Sequence, residues 1–281
     1  MLRTRILTAL VLALLVLAAL FLLPPRGFGV AMLAVTLGAA HEWTRLAKFP
    51  PRTQWAFVIV ILIVGAGLIF VPASGFEHGW PVAIVLAGCG AGALFWLVVA
   101  PLWIKLRWPT TGQLAMVLSG WIVLIGAWMS LVELQSRSPR LLLAAMAIVW
   151  IADTAAYFSG RAFGRRKLAP QISPGKTWEG VHGGLAAVAV YALCLLPFAR
   201  EAGFAPALGV VAVAAWLAFV LLMAATSVIG DLFESLMKRH AGVKDSGKLL
   251  PGHGGVLDRT DALLAAMPLA ALAAQLFLVK S

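Results

Sequence analysis

Nine apolar runs, each about as long as a bilayer is thick, take up most of this chain and leave only short polar connections between them. They cover residues 6–23, 27–44, 55–72, 81–104, 113–134, 140–160, 181–198, 205–230 and 260–279. A membrane-crossing helix needs roughly 20 apolar residues, because the hydrocarbon core offers no water to unpaired backbone groups. Nine of them would use about 180 positions, close to the 62% of the 281 residues that are hydrophobic. Charged residues make up 12% of the chain, about half the share of a soluble domain. This pattern excludes a soluble enzyme, a disulfide scaffold and a disordered chain. It predicts an all-α, polytopic membrane protein with about nine transmembrane helices. The first run has the Arg3/Arg5 flank of a signal peptide, but it is longer than the usual apolar core and leads into Pro24-Pro25 rather than a small-residue cleavage site. A retained span is therefore expected.

The net charge of +11 is scattered among the connections rather than gathered into a basic face, which argues against a nucleic-acid partner. If the runs alternate across a membrane, the N-terminus and the connections after runs two, four, six and eight carry 17 of the 22 Lys and Arg. A miscounted run would scramble that asymmetry, so it supports the nine-span count and puts the N-terminus in the cytoplasm. Cys89 and Cys194 lie inside apolar runs without a spaced partner and read as small core residues. Trp43, Trp55, Trp80, Trp103 and Trp108 fall near run ends, as an interfacial aromatic belt would. The layout divides into an N-terminal transmembrane region, residues 1–140 with about five spans, and a C-terminal transmembrane region, 141–281, with cytoplasmic connections at 161–180 and 231–259, where the candidate chemistry lies.

The 11 acidic residues are more informative than the basic ones, because a carboxylate at membrane depth is costly and usually functional. Eight of them (Glu42, Asp153, Glu179, Asp231, Glu234, Asp245, Asp258 and Asp261) fall at the cytoplasmic side or that end of a run. Glu77, Glu133 and Glu201 fall in far-side turns and read as solvated loop charges. Asp231, Glu234, Ser235 and Lys238 form one stripe if the eighth run continues as a helix. The same spacing also suits a simple helix end with a Glu234–Lys238 pair. Asp258 and Asp261 open the last run, where they complement the helix dipole. Framed by Lys244-Asp245, Lys248, His253-Gly254-Gly255 and Arg259, they also make a site for a divalent cation and phosphate, with oxygen ligands that suit Mg²⁺. Gly252, Gly254 and Gly255 would let backbone amides approach phosphate oxygens.

The earlier connection carries Arg161, Arg165, Arg166, Lys167 and then Ser173-Pro174-Gly175-Lys176-Thr177. It follows Asp153 and Tyr157, which share a helix face. The Gly-Lys-Thr is not a Walker A motif: Pro170 stands where the first glycine would be, and no strand is expected before it. It reads as a basic loop able to hold phosphate. A zinc site fails for want of HExxH or paired Cys/His spacing.

The run from Ser235 through Lys238-Arg239, Lys244-Asp245 and Leu250-Pro251-Gly252-His253-Gly254-Gly255 to Asp258-Arg259-Thr260-Asp261 resembles the signature of the phosphatidate cytidylyltransferases, or CDP-diacylglycerol synthases. The stretch from Asp153 and Tyr157 through Gly160-Arg161, Gly164-Arg165, Lys167 and Ser173-Pro174 to Lys176-Thr177 and Glu179-Gly180 resembles the family as well. The first 140 residues add little beyond hydropathy. The resemblance implies transfer of the CMP moiety of CTP to phosphatidic acid at the inner membrane, giving CDP-diacylglycerol and pyrophosphate. It implies Mg²⁺, with K⁺ as a second cation, held at Asp231 and Asp258 with Asp261 close by, and a homodimer. With it, Asp231, Asp258, Asp261 and Lys244 are the expected catalytic residues. Ser173, Lys176, Thr177, Ser235, Lys238, Arg239, Lys248, His253, Gly254, Gly255 and Arg259 are the expected substrate contacts. A transporter would instead place acids near mid-membrane, and a CDP-alcohol phosphotransferase would carry DGxxAR…GxxxDxxxD, which is absent.

Overall fold

The computed structural model describes residues 2–72, 75–76, 79–109, 112–201, 209–250, 252 and 254–277, without the side chains of 2–7, 9, 199–201 and 277. Each apolar run becomes a helix: α1 (Leu2–Leu22), α2 (Pro25–Leu46), α3 (Pro51–Phe70), α4 (Val82–Leu94), α5 (Ala100–Leu106), α6 (Gln113–Arg137), α7 (Pro139–Phe163), α8 (Trp178–Glu201), α9 (Val210–Ala241) and α10 (Leu257–Phe277). The helices α4 and α5 are one continuous rod, interrupted by a π-helical turn at Phe95–Val99. Pro101 supplies the cause, since its ring and missing N–H disturb the ladder about one turn back. Proline also opens α2, α3 and α7, where its fixed φ suits a first turn.

Six helical stretches among the described residues are long and apolar enough to cross a bilayer: Pro51–Phe70, Val82–Leu106, Gln113–Arg137, Pro139–Phe163, Trp178–Phe198 and Val210–Ala241. The protein is thus a multi-pass helical membrane protein. The described apolar part of α1 is only Leu10–Leu22, and α2 carries Arg26, Glu42 and Arg45.

The last helix is the hub. It packs against α9, α6, α4, α7 and α2, and Ala265, Ala266, Met267, Ala271 and Ala274 are fully buried. A helix rich in alanine permits such close neighbours, which is how helices pack where no hydrophobic effect separates protein from lipid. The same economy recurs at Gly126 in α6, where an added Cβ would lie 3.0 Å from the Gly88 carbonyl oxygen. Phe233 pins α9 on its other side, with its ring against Trp43, Phe95, Trp96 and Trp103.

Several expectations change here. Trp43, Trp80 and Trp103 are buried core residues rather than an interfacial belt; their indole N–H groups bond the carbonyls of Met116, Leu68 and Trp108. Trp55 and Trp108 are exposed. Glu133 is not a solvated loop charge but a fully buried one in α6. It pairs with Arg137 at 2.8 Å and accepts the Trp80 amide at 3.1 Å, while Arg137 also reaches Gln275 of α10. Cys89 is buried, as expected, but Cys194 is exposed. Glu77 and His253 lie outside the described residues, as does the side chain of Glu201.

Candidate active site

The connection at 161–180 is not a plain loop. After α7 it forms an antiparallel hairpin, β1 (Lys167–Ala169) and β2 (Ser173–Thr177), in which Lys167 pairs with Thr177 and Ala169 with Ser173. A strand therefore does precede the Gly-Lys-Thr, which itself lies in β2. Thr177 ends the strand and caps α8, its hydroxyl accepting the Gly180 amide at 3.1 Å. Glu179 fastens the other end, accepting the amides of Arg165 and Arg166 and the Arg166 guanidinium at 3.0–3.1 Å. Arg239, from the end of α9, donates to the Ile172 carbonyl at 3.1 Å and holds the hairpin turn.

The hairpin lies over a cavity of about 560 Å³ among α7, α8, α9 and the start of α10, within the roughly 300–1,000 Å³ usual for small-ligand sites. Its polar lining includes Asp153, Asp231, Asp258, Asp261, Lys176, Ser173, Thr177, Arg161 and Arg259. Ala152, Ala156, Leu185, Ala224 and Val228 form an apolar wall deeper in the bundle. Asp153 and Asp231 each stand ten residues before their helices end, so the cavity reaches about 15 Å inward from those ends at 1.5 Å per residue.

Bare backbone lets the elements come close enough to form it. A Cβ at Gly230 would lie 2.5 Å from the Asp261 carbonyl oxygen and 2.8 Å from Ala265. The residue before Asp231 is thus the contact that presses α9 onto the first turn of α10. Across the cavity, a Cβ at Gly180 or Gly184 would lie 2.9 Å from the carbonyl of Ala156 or Ala152, so α8 lies against α7 there. Gly183, against Ser159, and Gly184, against Ala152 and Ala156, serve this packing.

Two polar networks share this space. In the first, Asp231 pairs with the Lys176 ammonium at 2.6 Å and accepts the Ser235 hydroxyl at 3.3 Å. Asp153 and Asp261 both lie within electrostatic reach of Asp231 and Lys176. In the second, Lys238 lies between Glu234 at 2.5 Å and Asp258 at 2.8 Å. The other Asp258 oxygen accepts the amides of Ser246 and Gly255 at 2.8 Å each and lies 3.0 Å from the Ser246 hydroxyl oxygen.

The expected site residues sort accordingly. Helix α9 does continue, and both i, i+4 pairs of the stripe form, so the connection at 231–259 is half helix and becomes a loop only at Gly242. Ser173, Lys176, Thr177, Asp231, Asp258, Arg259 and Asp261 meet around one cavity. Asp258, expected to share a centre with Asp231, folds back over its own helix start, whereas Asp231 keeps company with Asp261 and Asp153. Lys238 is committed to two carboxylates instead of being open to phosphate. Lys244 and Lys248 are exposed and outside the lining. Gly254 and Gly255 are also outside it, and the Gly255 amide is taken by Asp258. Gly254 has φ +87°, and a Cβ there would lie 2.7 Å from the Asp258 carboxylate. These glycines make room for carboxylates. The site also draws in Asp153 and Tyr157, whose helical spacing in the sequence hinted at a shared face, and Arg161 one turn further on.

Among the described residues no three acidic, His or Cys groups already stand close enough to hold an ion. The donor chemistry nevertheless fits a hard divalent cation, because carboxylates from α9 and α10 converge there and one already accepts an ammonium.

A bundle of apolar helices encloses a charged cavity, roofed by a basic hairpin and walled below with apolar side chains, the arrangement of a candidate membrane-embedded enzyme site. The chain belongs to the cytidylyltransferase family, whose pattern it matches over residues 3–277. It is 40% identical over 280 residues to the phosphatidate cytidylyltransferase of Pseudomonas aeruginosa, covering 95% of both chains. It is 38% identical to that of Haemophilus influenzae over 288 residues, 95% of this chain and 96% of the other. To that of Brucella suis it is 36% identical over 290 residues, 98% and 94%. It is therefore a nucleotidyltransferase.

Proposed function

We propose that this chain is a phosphatidate cytidylyltransferase: a phosphatidate oxygen attacks the α-phosphorus of CTP, the bond to the β-phosphate oxygen breaks, and CDP-diacylglycerol and pyrophosphate form. The observation that carries the reading is the one cavity in which Asp153, Asp231 and Asp261 meet Lys176, Arg161 and Arg259 above an apolar wall. The lipid phosphate is already a nucleophile, so no Ser or Cys is needed. The barrier lies in bringing two anions together and stabilising the pyrophosphate that leaves, work done by positioned charge.

Lys176, Arg161 and Arg259 would hold phosphate oxygens, with Ser173 and Thr177 beside them on β2. Binding of a triphosphate would draw Lys176 away from Asp231. Asp231, Asp261 and Asp258 would hold Mg²⁺, with K⁺ as a second cation; bound there, Mg²⁺ supplies positive charge to the triphosphate. Acyl chains would lie along Ala152, Ala156, Leu185, Ala224 and Val228. The hairpin end faces the cytoplasm at the inner membrane in this reading, supported by the lysine and arginine distribution and by the bacterial relatives.

The test is purified protein in mixed micelles with labelled CTP, Mg²⁺ and either phosphatidate or diacylglycerol. Lipid-linked cytidine should form with phosphatidate alone, and Asp261→Asn should lower its rate by at least roughly 100-fold. Equal labelling of diacylglycerol, or a fully active Asp261→Asn, would refute the proposal.

A further inference from the structure

Glu42 lies on α2, far from the catalytic region in sequence, and is 1% exposed. Its carboxylate reaches the start of α10: Oε1 accepts the Val256 amide at 3.0 Å, and Oε2 accepts the Leu257 amide at 2.9 Å and the Ser246 hydroxyl at 2.8 Å. The first amides of a helix have no partner within it, and the positive end of its dipole favours a carboxylate. Glu42 meets both needs from a different helix.

The surrounding sequence is shaped to admit it. A Cβ at Gly247 or Gly255 would strike the Glu42 carboxylate, and one turn earlier on α2 a Cβ at Gly38 would touch Val256 and Leu249. Ser246 passes the connection on, because its amide and hydroxyl also contact Asp258. Asp258, Arg259 and Asp261, the α10 contribution to the cavity, thus stand on a helix start that Glu42 holds. Glu42 itself does not line the cavity.

Resting on the functional reading above, we infer that Glu42 is a positioning residue for cytidylyl transfer. It fixes the first turn of α10 against α9, so that Asp258, Arg259 and Asp261 meet Asp231 and the hairpin in register. A carboxylate is required because three donors converge on it; the amide of a glutamine would turn an N–H toward one of them.

Glu42→Gln should lower kcat roughly 10- to 100-fold, the usual cost of losing a group that orients the residues of a site, with KM for CTP and phosphatidate little changed. Hydrogen exchange on the same full-length protein should quicken at Ser246 and at 255–258 and stay unchanged in α7. Glu133→Gln, a buried acid far from the cavity, serves as the comparison: it should lower thermal stability and leave kcat and KM alone. Ser246→Ala provides a milder lesion if Glu42→Gln does not fold. It should slow turnover in the same direction, and where both fold, the double variant should be no slower than Glu42→Gln alone. Unchanged kcat in Glu42→Gln, a kcat loss matched by Glu133→Gln, or strictly additive effects of Glu42 and Ser246 would overturn the inference. A wild type that makes no CDP-diacylglycerol would instead sink the functional reading, and the exchange measurement would still decide whether Glu42 holds the helix start.

Discussion

Lys238 stands between Glu234 and Asp258 with its side chain 13% exposed. Sequence spacing alone pairs it with Glu234 and leaves it free to meet phosphate; the fold adds a carboxylate twenty residues further on. Removing one partner from a buried ionic group leaves the others uncompensated, which costs about 3–5 kcal/mol. Lys238→Met should therefore lower the thermal unfolding midpoint sharply, while Lys244→Ala, at an exposed position, should change stability by less than about 0.5 kcal/mol. Comparable melting of the two variants would mean that the Glu234–Lys238–Asp258 network is not formed in the membrane. The carboxylates differ in their partners: all three line the cavity, but Asp258 is also held by Lys238 and by the Ser246 and Gly255 amides, unlike Asp231 and Asp261. Local spacing does not separate them, because two of the Asp258 partners, Lys238 and Ser246, lie twenty and twelve residues away.

At the scale of elements, the apolar part of each helix is legible, since a run of apolar residues has few alternatives in lipid, whereas the continuation of α9 from Asp231 to Ala241 is not. The hairpin is not either, because Lys167–Ala169 and Ser173–Thr177 are short and carry Pro174 and Gly175, residues that strands usually avoid. The contact that builds the cavity was equally hidden. Gly230 reads as one more small residue in an apolar run, yet it sets the distance between α9 and α10. Gly230→Ala should push Asp231 away from Asp261 and cost about 1–3 kcal/mol through overpacking. The check is a parallel measurement of melting and turnover, with Gly209→Ala, at an open position, expected to change neither. Wild-type turnover in Gly230→Ala would show that the approach of these helices is not needed.

For the whole molecule, the two halves assigned from sequence meet through Glu42, Trp43 and α6. The N-terminal helices thus form the frame on which the signature segment rests, a relation that hydropathy cannot display. Lysine and arginine asymmetry predicts the orientation: a reporter fused after α10 should behave as periplasmic, and one inserted between Lys244 and Lys248 as cytoplasmic. The reverse pattern would place the cavity mouth away from cytoplasmic CTP. The most direct test of the whole account follows the phosphorus. With CTP labelled at the α- or the γ-phosphate in separate reactions, together with phosphatidate and Mg²⁺, the account predicts that α-label enters the lipid and γ-label leaves as pyrophosphate. Transfer of γ-label to lipid, or loss of both labels to water without a lipid product, would contradict it.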